Sequence, residues 1–355
     1  MNKAAKYGRN AAIFGGAGNA ILNAIKQLNE MKKNPELKFS WKSFFMAGAK
    51  GAVVCGSAGW AIGTIVDNNN ANTKAIATVP LLYSYIDKVR LDKNDWAYRQ
   101  LCEKADWLIS KLKAEFGKEL STQPYRFGST EMGTALGVNA DIDICLPLRA
   151  KYFSSTEDMF FIVQEFLESF VGVNNIIKVR SQKKSIGVFF QIRGYEGKVD
   201  ILPQRITPKR GNKHSGYLYV NNAGLFQKPS HTKTNPNLLK GVKLSQTQKN
   251  ILILLKDWKI KESLPMSSHL LQNLILDAYD YNRNFIPRDF AKKIIMVLRH
   301  ISENINTAYI RSIENSNNIL TDISQEDKRC IADACKKVVD EYEYQPNSIL
   351  EMLNR

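Results

Sequence analysis

Asp141 and Asp143 stand one residue apart in ADIDICLPL, behind the Gly128-Ser129 pair of YRFGST, and a third acid, Asp200, follows in KVDILPQ. In a strand, residues i and i+2 project to one face. Asp141 and Asp143 then lie side by side while Ile142 and Ile144 enter the core. Two carboxylates held together repel unless a cation sits between them. Mg²⁺ takes one or two carboxylates plus substrate phosphates, so Asp-x-Asp on a strand points to a metal–nucleotide site. The tripeptide alone is a weak signal, because exposed Asp-x-Asp at strand ends is common.

The neighbouring residues strengthen it. A glycine lets the backbone approach a phosphate closely, and the following hydroxyl and N–H can bond it. Eleven residues separate Ser129 from Asp141, room for a short helix near Thr130 and a turn into the strand. Asp200 follows GVFFQIRGYEG, which reads as one arm of a hairpin around Gly194 to Gly197; Val199 and Ile201 then face the core and Asp200 joins the other two acids. Three carboxylates can hold two metal ions about 4 Å apart. One would activate an attacking hydroxyl and the other would bind the triphosphate and the leaving pyrophosphate, which is nucleotidyl transfer by in-line displacement.

The elements that position these residues read as an α+β fold. DWAYRQLCEKADWLISKLKAEFG has apolar residues at helical spacing, and TEDMFFIVQEFLESFVG is a second helix. ADIDICLPL alternates like a half-buried strand, and IKVRSQ, GVFFQIRG and KVDILPQ are successive strands. After Gly241 the chain is mostly helical: TQKNILILLKDWKIKE, SSHLLQNLILDAY, RDFAKKIIMVLRHISENI and EDKRCIADACKKVVDEYEY. The expected organisation is a Gly-rich apolar helical segment over 1–91, a mixed-sheet catalytic core over 92–240 and a C-terminal helical domain with its tail over 241–355.

Gly128-Ser129, Asp141-Ile142-Asp143 and Asp200 in its VDILP context together resemble the DNA polymerase β nucleotidyltransferase superfamily. VDILP is similar to the third-acid strand of oligoadenylate synthetases, cyclic GMP-AMP synthase and bacterial CD-NTases. NPNLLKG, ILLKDWK and LPMSSHLLQNLI resemble the helical half of that group, so the likeness runs from about Asp92 to Ala334. It implies that Gly128 and Ser129 bind the β/γ phosphates, that Asp141 and Asp143 hold both of two Mg²⁺ (or Mn²⁺) ions, and that Asp200 holds the catalytic one. It places Lys256 near the triphosphate or base and makes Ser268 a phosphate or base contact. LPMSSHLLQ has an extra residue and Gln272 where glutamate is usual, which leaves the register of Ser268 open.

The family's chemistry implies nucleoside triphosphates as substrates and an oligonucleotide product, cyclic or linear, serving as a signal in bacterial anti-phage defence with a cognate effector protein. The layout also resembles the Hailong-type enzymes, which make linear DNA oligomers primed by a C-terminal tyrosine. Tyr342 and Tyr344, in a tail that reads as mobile, are candidate primers or ordinary helix-end tyrosines. Tyr217 and Tyr219 in GYLYV are either base-stacking rings or sheet-packing residues. RNA 3′-end addition and a membrane-associated nucleotide sensor are the remaining readings.

Composition sets the outer limits. The 355 residues carry 50 Lys+Arg against 34 Asp+Glu, a net charge of +16 that favours a polyanionic partner. Lys178, Arg180, Lys183 and Lys184 precede Asp200, and Arg205, Lys209, Arg210 and Lys213 follow it; they are either a nucleic-acid surface or a solvated face. Five scattered cysteines fit a reducing, cytoplasmic setting, and neither zinc spacing nor an HExxH pattern occurs. The Gly-rich stretch 43–66 is read as a glycine-zipper or oligomer contact or as a membrane association. Its charge-free run, Gly51 to Val66, is shorter than the ~20 residues of a spanning helix.

Overall fold

The computed structural model of the protein describes residues 71–137, 140–207, 215–221, 230–235, 243–311 and 318–353. The Gly-rich stretch 43–66, NPNLLKG from 236 onward, and Lys209, Arg210 and Lys213 lie outside them. Among the described residues no helix is long and apolar enough to cross a membrane.

Two helices, α1 (Ala71–Val89) and α2 (Trp96–Phe116), lead to β1 (Tyr125–Phe127) and the single-turn α3 (Gly128–Met132). Then come β2 (Ile142–Arg149), α4 (Thr156–Glu168), β3 (Ile176–Ser181), β4 (Ile186–Ile192), β5 (Tyr195–Ile206), β6 (Gly216–Val220) and β7 (Ser230–Thr234). The helical half comprises α5 (Gln246–Lys261), α6 (Ser268–Tyr281), α7 (Phe290–Asn304) and α8 (Gln325–Tyr344), and a 3₁₀ segment, Pro346–Leu353, ends it.

The strands form one mixed sheet in the order β1-β2-β5-β4-β3, extended by β6 on β5 and β7 on β6. The β2–β5 pair is parallel and the others are antiparallel. Two helices seal one sheet face. Asp95 caps α2 by accepting from the Tyr98 N–H at 3.0 Å, and Leu101, Ala105, Leu108, Leu112 and Phe116 form its buried stripe. Ser155 caps α4, which buries Met159, Phe160, Val163 and Leu167. These side chains pack on Ile142, Ile144, Leu146 and Leu148 of β2 and on Val199 and Ile201 of β5. At about 1.5–3 kcal/mol for each fully buried large apolar side chain, this packing sets which way both strands face. The alternating residues Asp143, Cys145 and Asp200 are therefore turned to the opposite face.

The sequence pattern of β2 suggests a half-buried strand, yet only Asp143 and Arg149 keep appreciable exposure. The strand is interior to the sheet, and its second face is also covered: Cys145 packs with Phe127, Tyr125 and Leu202 and bonds Gln204.

In the helical half, the Ser245–Gln248 capping box starts α5, whose Ile251 to Leu255 run and Trp258 are buried on all sides. Leu82 and Ile86 of α1 belong to the same buried cluster. Arg90 adds a hydrogen bond to Asn250 Oδ1 (2.6 Å), and the Tyr85 hydroxyl bonds Asp257 and Lys261. The C-terminal tail, which reads as mobile in the sequence, is anchored instead. Ile349 and Met352 are buried, Asn347 accepts from the Thr78 hydroxyl at 3.0 Å, and Lys261 donates to the Leu353 carbonyl at 2.6 Å.

Candidate active site

The strand register brings the three acids together. Asp143 on β2 and Asp200 on β5 are direct partners in the parallel pairing, and Asp141 immediately precedes β2 on the same side as Asp143. Ile142 and Ile144, Val199 and Ile201 all point into the core, as the alternation requires.

A lysine that the motifs do not reveal lies between two of the acids. Lys198 Nζ donates to Asp141 Oδ2 at 2.7 Å and to Asp200 Oδ2 at 3.1 Å. Gln182 Nε2 takes the other Asp200 oxygen at 2.9 Å. Lys198 is two residues from Asp200 and so shares its face of β5; that spacing was the available signal.

Burial raises the pKa of all three acids. For Asp141 and Asp200 the ammonium of Lys198 works against that rise. Asp143 is pushed up to about 7, first by burial and then by the charges of Asp200 and Asp141, against which Lys198 and Lys256 act only in part. Burial also works against the Lys198 ammonium, but its hydrogen bond to Asp141 and the charge of Asp200 prevail and raise its pKa.

Gly128 has the left-handed φ of 82° and receives the Asp143 carboxylate against its backbone. A Cβ there would stand 2.0 Å from Asp143 Oδ2, so only glycine allows this approach. Ser129 follows at the start of α3, and its carbonyl accepts from the Thr134 N–H at 2.9 Å. The Thr134 carbonyl in turn accepts from Lys256 Nζ at 2.9 Å, tying α5 of the helical half to the Gly-Ser turn. Lys256 is buried, and that burial, with Lys259 nearby, lowers its pKa to about 8.

Ser129, Asp141, Asp143, Lys256 and Ser268 line one cleft of about 690 Å³. Residues picked from sequence thus converge from distant parts of the chain. Ser267 is the N-cap of α6, accepting from the Leu270 N–H at 3.0 Å, so Ser268 is the serine that faces the cleft. Sequence reasoning missed other walls of this cleft: Lys88 and Val89 at the end of α1, Leu136 after α3, and Asp257 and Ile260 on α5. Lys88 sits in the segment expected to be separate from the catalytic core, and only the packing of α1 brings it here.

The remaining candidates lie elsewhere. Tyr217 packs edge-to-face on His231 (5.3 Å between ring centroids) and does not line the cleft. Tyr219 is buried against Phe160 and Phe161, with its hydroxyl bonded to Glu157 at 3.1 Å. Tyr342 is buried in the helical core, whereas Tyr344 is 93% exposed. Of the basic residues around Asp200, Lys178 pairs with Glu196 and lies over the Phe189 ring, and Arg205 donates to the carbonyls of Ala150 and Phe153.

The donor set suits hard divalent ions: three carboxylates, two at partnered strand positions, whose mutual repulsion at Asp143 a bound cation would offset. Among the described residues no three His, Cys, Asp or Glu side chains already stand as a metal cage; Lys198 occupies the place between Asp141 and Asp200.

No family model matches the chain, and no curated protein matches it. Solved structures do. The chain is similar to CdnC of E. coli MS115-1, determined with ATP, at 18% identity and a TM-score of 0.58, covering 75% of this chain and 92% of that one. It is similar to the CD-NTase CdnG of Bradyrhizobium diazoefficiens, in complex with GTP, at 13% identity and a TM-score of 0.58, covering 78% and 93%. It is also similar to CdnE of Elizabethkingia meningoseptica, a cyclic dinucleotide synthase seen with GTP and Apcpp, at 16% identity and a TM-score of 0.53, covering 75% and 98%. The chain has the α+β nucleotidyltransferase fold of the CD-NTases, mixed sheet and C-terminal helical half included.

Proposed function

We propose that this protein is a divalent-metal-dependent nucleotidyltransferase that builds an oligonucleotide signal from nucleoside triphosphates, in bacterial anti-phage defence. The observation that carries the reading is the pairing of Asp143 with Asp200 beside Asp141, with Asp141 and Asp143 lining a cleft that also holds Ser129, Lys256 and Ser268. Support comes from the shared fold of CdnC, CdnG and CdnE, captured with ATP, GTP, or GTP and Apcpp. The defence role rests on the resemblance to CD-NTases.

Asp141, Asp143 and Asp200 hold the two ions. Bound Mg²⁺ or Mn²⁺ supplies charge neutralisation on the phosphates and lowers the pKa of the attacking hydroxyl. The Ser129 hydroxyl and the Lys256 ammonium bind the phosphates, and the Gly128 backbone admits them close to the acids. Ser268 and the apolar walls Val89, Leu136 and Ile260 receive the sugar and base. The Gly-rich stretch 43–66 serves assembly or a membrane contact, and an effector protein reads the product.

The test is incubation with each labelled triphosphate and Mg²⁺ or Mn²⁺, followed by separation of soluble products beside a denaturing protein gel. A soluble oligonucleotide supports the reading. Label held on the protein and lost on Tyr344→Phe would replace it with protein-primed DNA oligomer synthesis, and label only on added RNA with RNA 3′-end addition.

A further inference from the structure

The ammonium of Lys198 stands where the nucleotidyltransferase reading puts a metal ion, and any role it has against that ion rests on that reading. It contacts Asp141 Oδ2 at 2.7 Å and Asp200 Oδ2 at 3.1 Å, both distances of charge-assisted hydrogen bonds. With Gln182 on Asp200 Oδ1, both oxygens of that carboxylate are engaged by groups of the protein. Two of the three proposed metal-binding acids are thus already engaged by a cation carried on the same strand as one of them. A divalent ion needs those same oxygens, and an ammonium and a metal cannot share them without repulsion.

We propose that Lys198 is a tethered competitor of the divalent cation. It holds Asp141 and Asp200 together when no metal is bound, and it must withdraw from both before an ion binds there. The geometry permits withdrawal. The lysine side chain is a flexible four-carbon stem with a compact charged head, and that of Lys198 is 22% exposed, so its ammonium has a route to solvent. The device lowers the affinity of the site for free metal while keeping the acids pre-arranged.

The experiment is a Mn²⁺ titration without nucleotide, read by loss of the free-ion electron paramagnetic resonance signal. It compares wild type, Lys198→Met and the double variant Asp141→Asn with Asp143→Asn. Lys198→Met should bind Mn²⁺ at least about tenfold more tightly than wild type, since even one competing charged hydrogen bond is worth that much and Lys198 makes two. A second measurement uses wild type alone: reductive methylation of lysines followed by mass spectrometry. Lys198 should be protected without metal and labelled when Mn²⁺ is added.

Equal or weaker Mn²⁺ binding by a folded Lys198→Met, with binding abolished in the double variant, overturns the competitor and leaves the metal site standing. Lys198 labelling that Mn²⁺ does not change also overturns it, even where Lys198→Met fails to fold. No Mn²⁺ binding by any of these proteins removes the metal reading and this proposal together.

Discussion

Asp143 and Asp200 face each other across the parallel pairing of β2 and β5, though 57 positions separate them in the chain. The pairing fixes them on the sheet face away from α2 and α4. If these acids hold the metal ions, either Asp143→Asn or Asp200→Asn should lower turnover by about a thousandfold or more, the equivalent of several kcal/mol of transition-state charge stabilisation. Circular dichroism should show an intact fold, because neither change alters packing.

Asp143 also sets a pH dependence. Its carboxyl is raised to about 7 in the folded, metal-free protein, well above the ordinary value of 3.8. Between those limits the folded state holds a proton that the unfolded chain has released, so stability falls as pH rises through the window. Thermal melts in chelator should therefore show a decline towards neutral pH that Asp143→Asn reduces. Added Mn²⁺ should raise the melting temperature most above neutral pH, where the carboxylate is ionised.

Gly128 gives a steric prediction. Gly128→Ala must adopt a left-handed φ and place a Cβ 2.0 Å from an Asp143 oxygen. The backbone strain alone costs about 1–3 kcal/mol. Displacement of the carboxylate should add a loss of activity out of proportion to the loss of stability, read as turnover in protein that is still folded.

Lys256 should link substrate affinity to pH. Its ammonium has a pKa of about 8, below the usual lysine value, and is lost as pH rises through that point. The KM for triphosphate should rise above pH about 8 in wild type and be high and flat with pH in Lys256→Met. Lys256→Met also removes the bond to the Thr134 carbonyl, so its melting temperature should fall modestly.

The acids and the Gly-Ser turn were legible in the sequence because alternation in β2 and β5 separates apolar from polar faces residue by residue. The apolar stripe of α2 follows from an equally local pattern. Lys198 shows where local patterns end. Its face follows from alternation, but its bond to Asp141 depends on which residue of β2 stands opposite which residue of β5. That register is a long-range property set by the core packing of both strands. Lys88 depends likewise on α1 docking against α5, with Leu82 and Ile86 in the helical cluster. On β6 alternation places Tyr217 and Tyr219 together, yet only Tyr219 packs beneath α4, and nothing local to GYLYV foretold that. The tail reads as mobile because acids and Pro346 flank its tyrosines, whereas Ile349 and Met352 bury it against the helical half.

The most direct test is pyrophosphate release, measured with every ribo- and deoxyribonucleoside triphosphate, singly and mixed, in Mg²⁺ and in Mn²⁺, for wild type and for Asp141→Asn with Asp143→Asn. The account predicts release by wild type with at least one triphosphate, and none by the double variant at equal fold content. Absence of release by wild type under every condition, or equal release by the double variant, would contradict it.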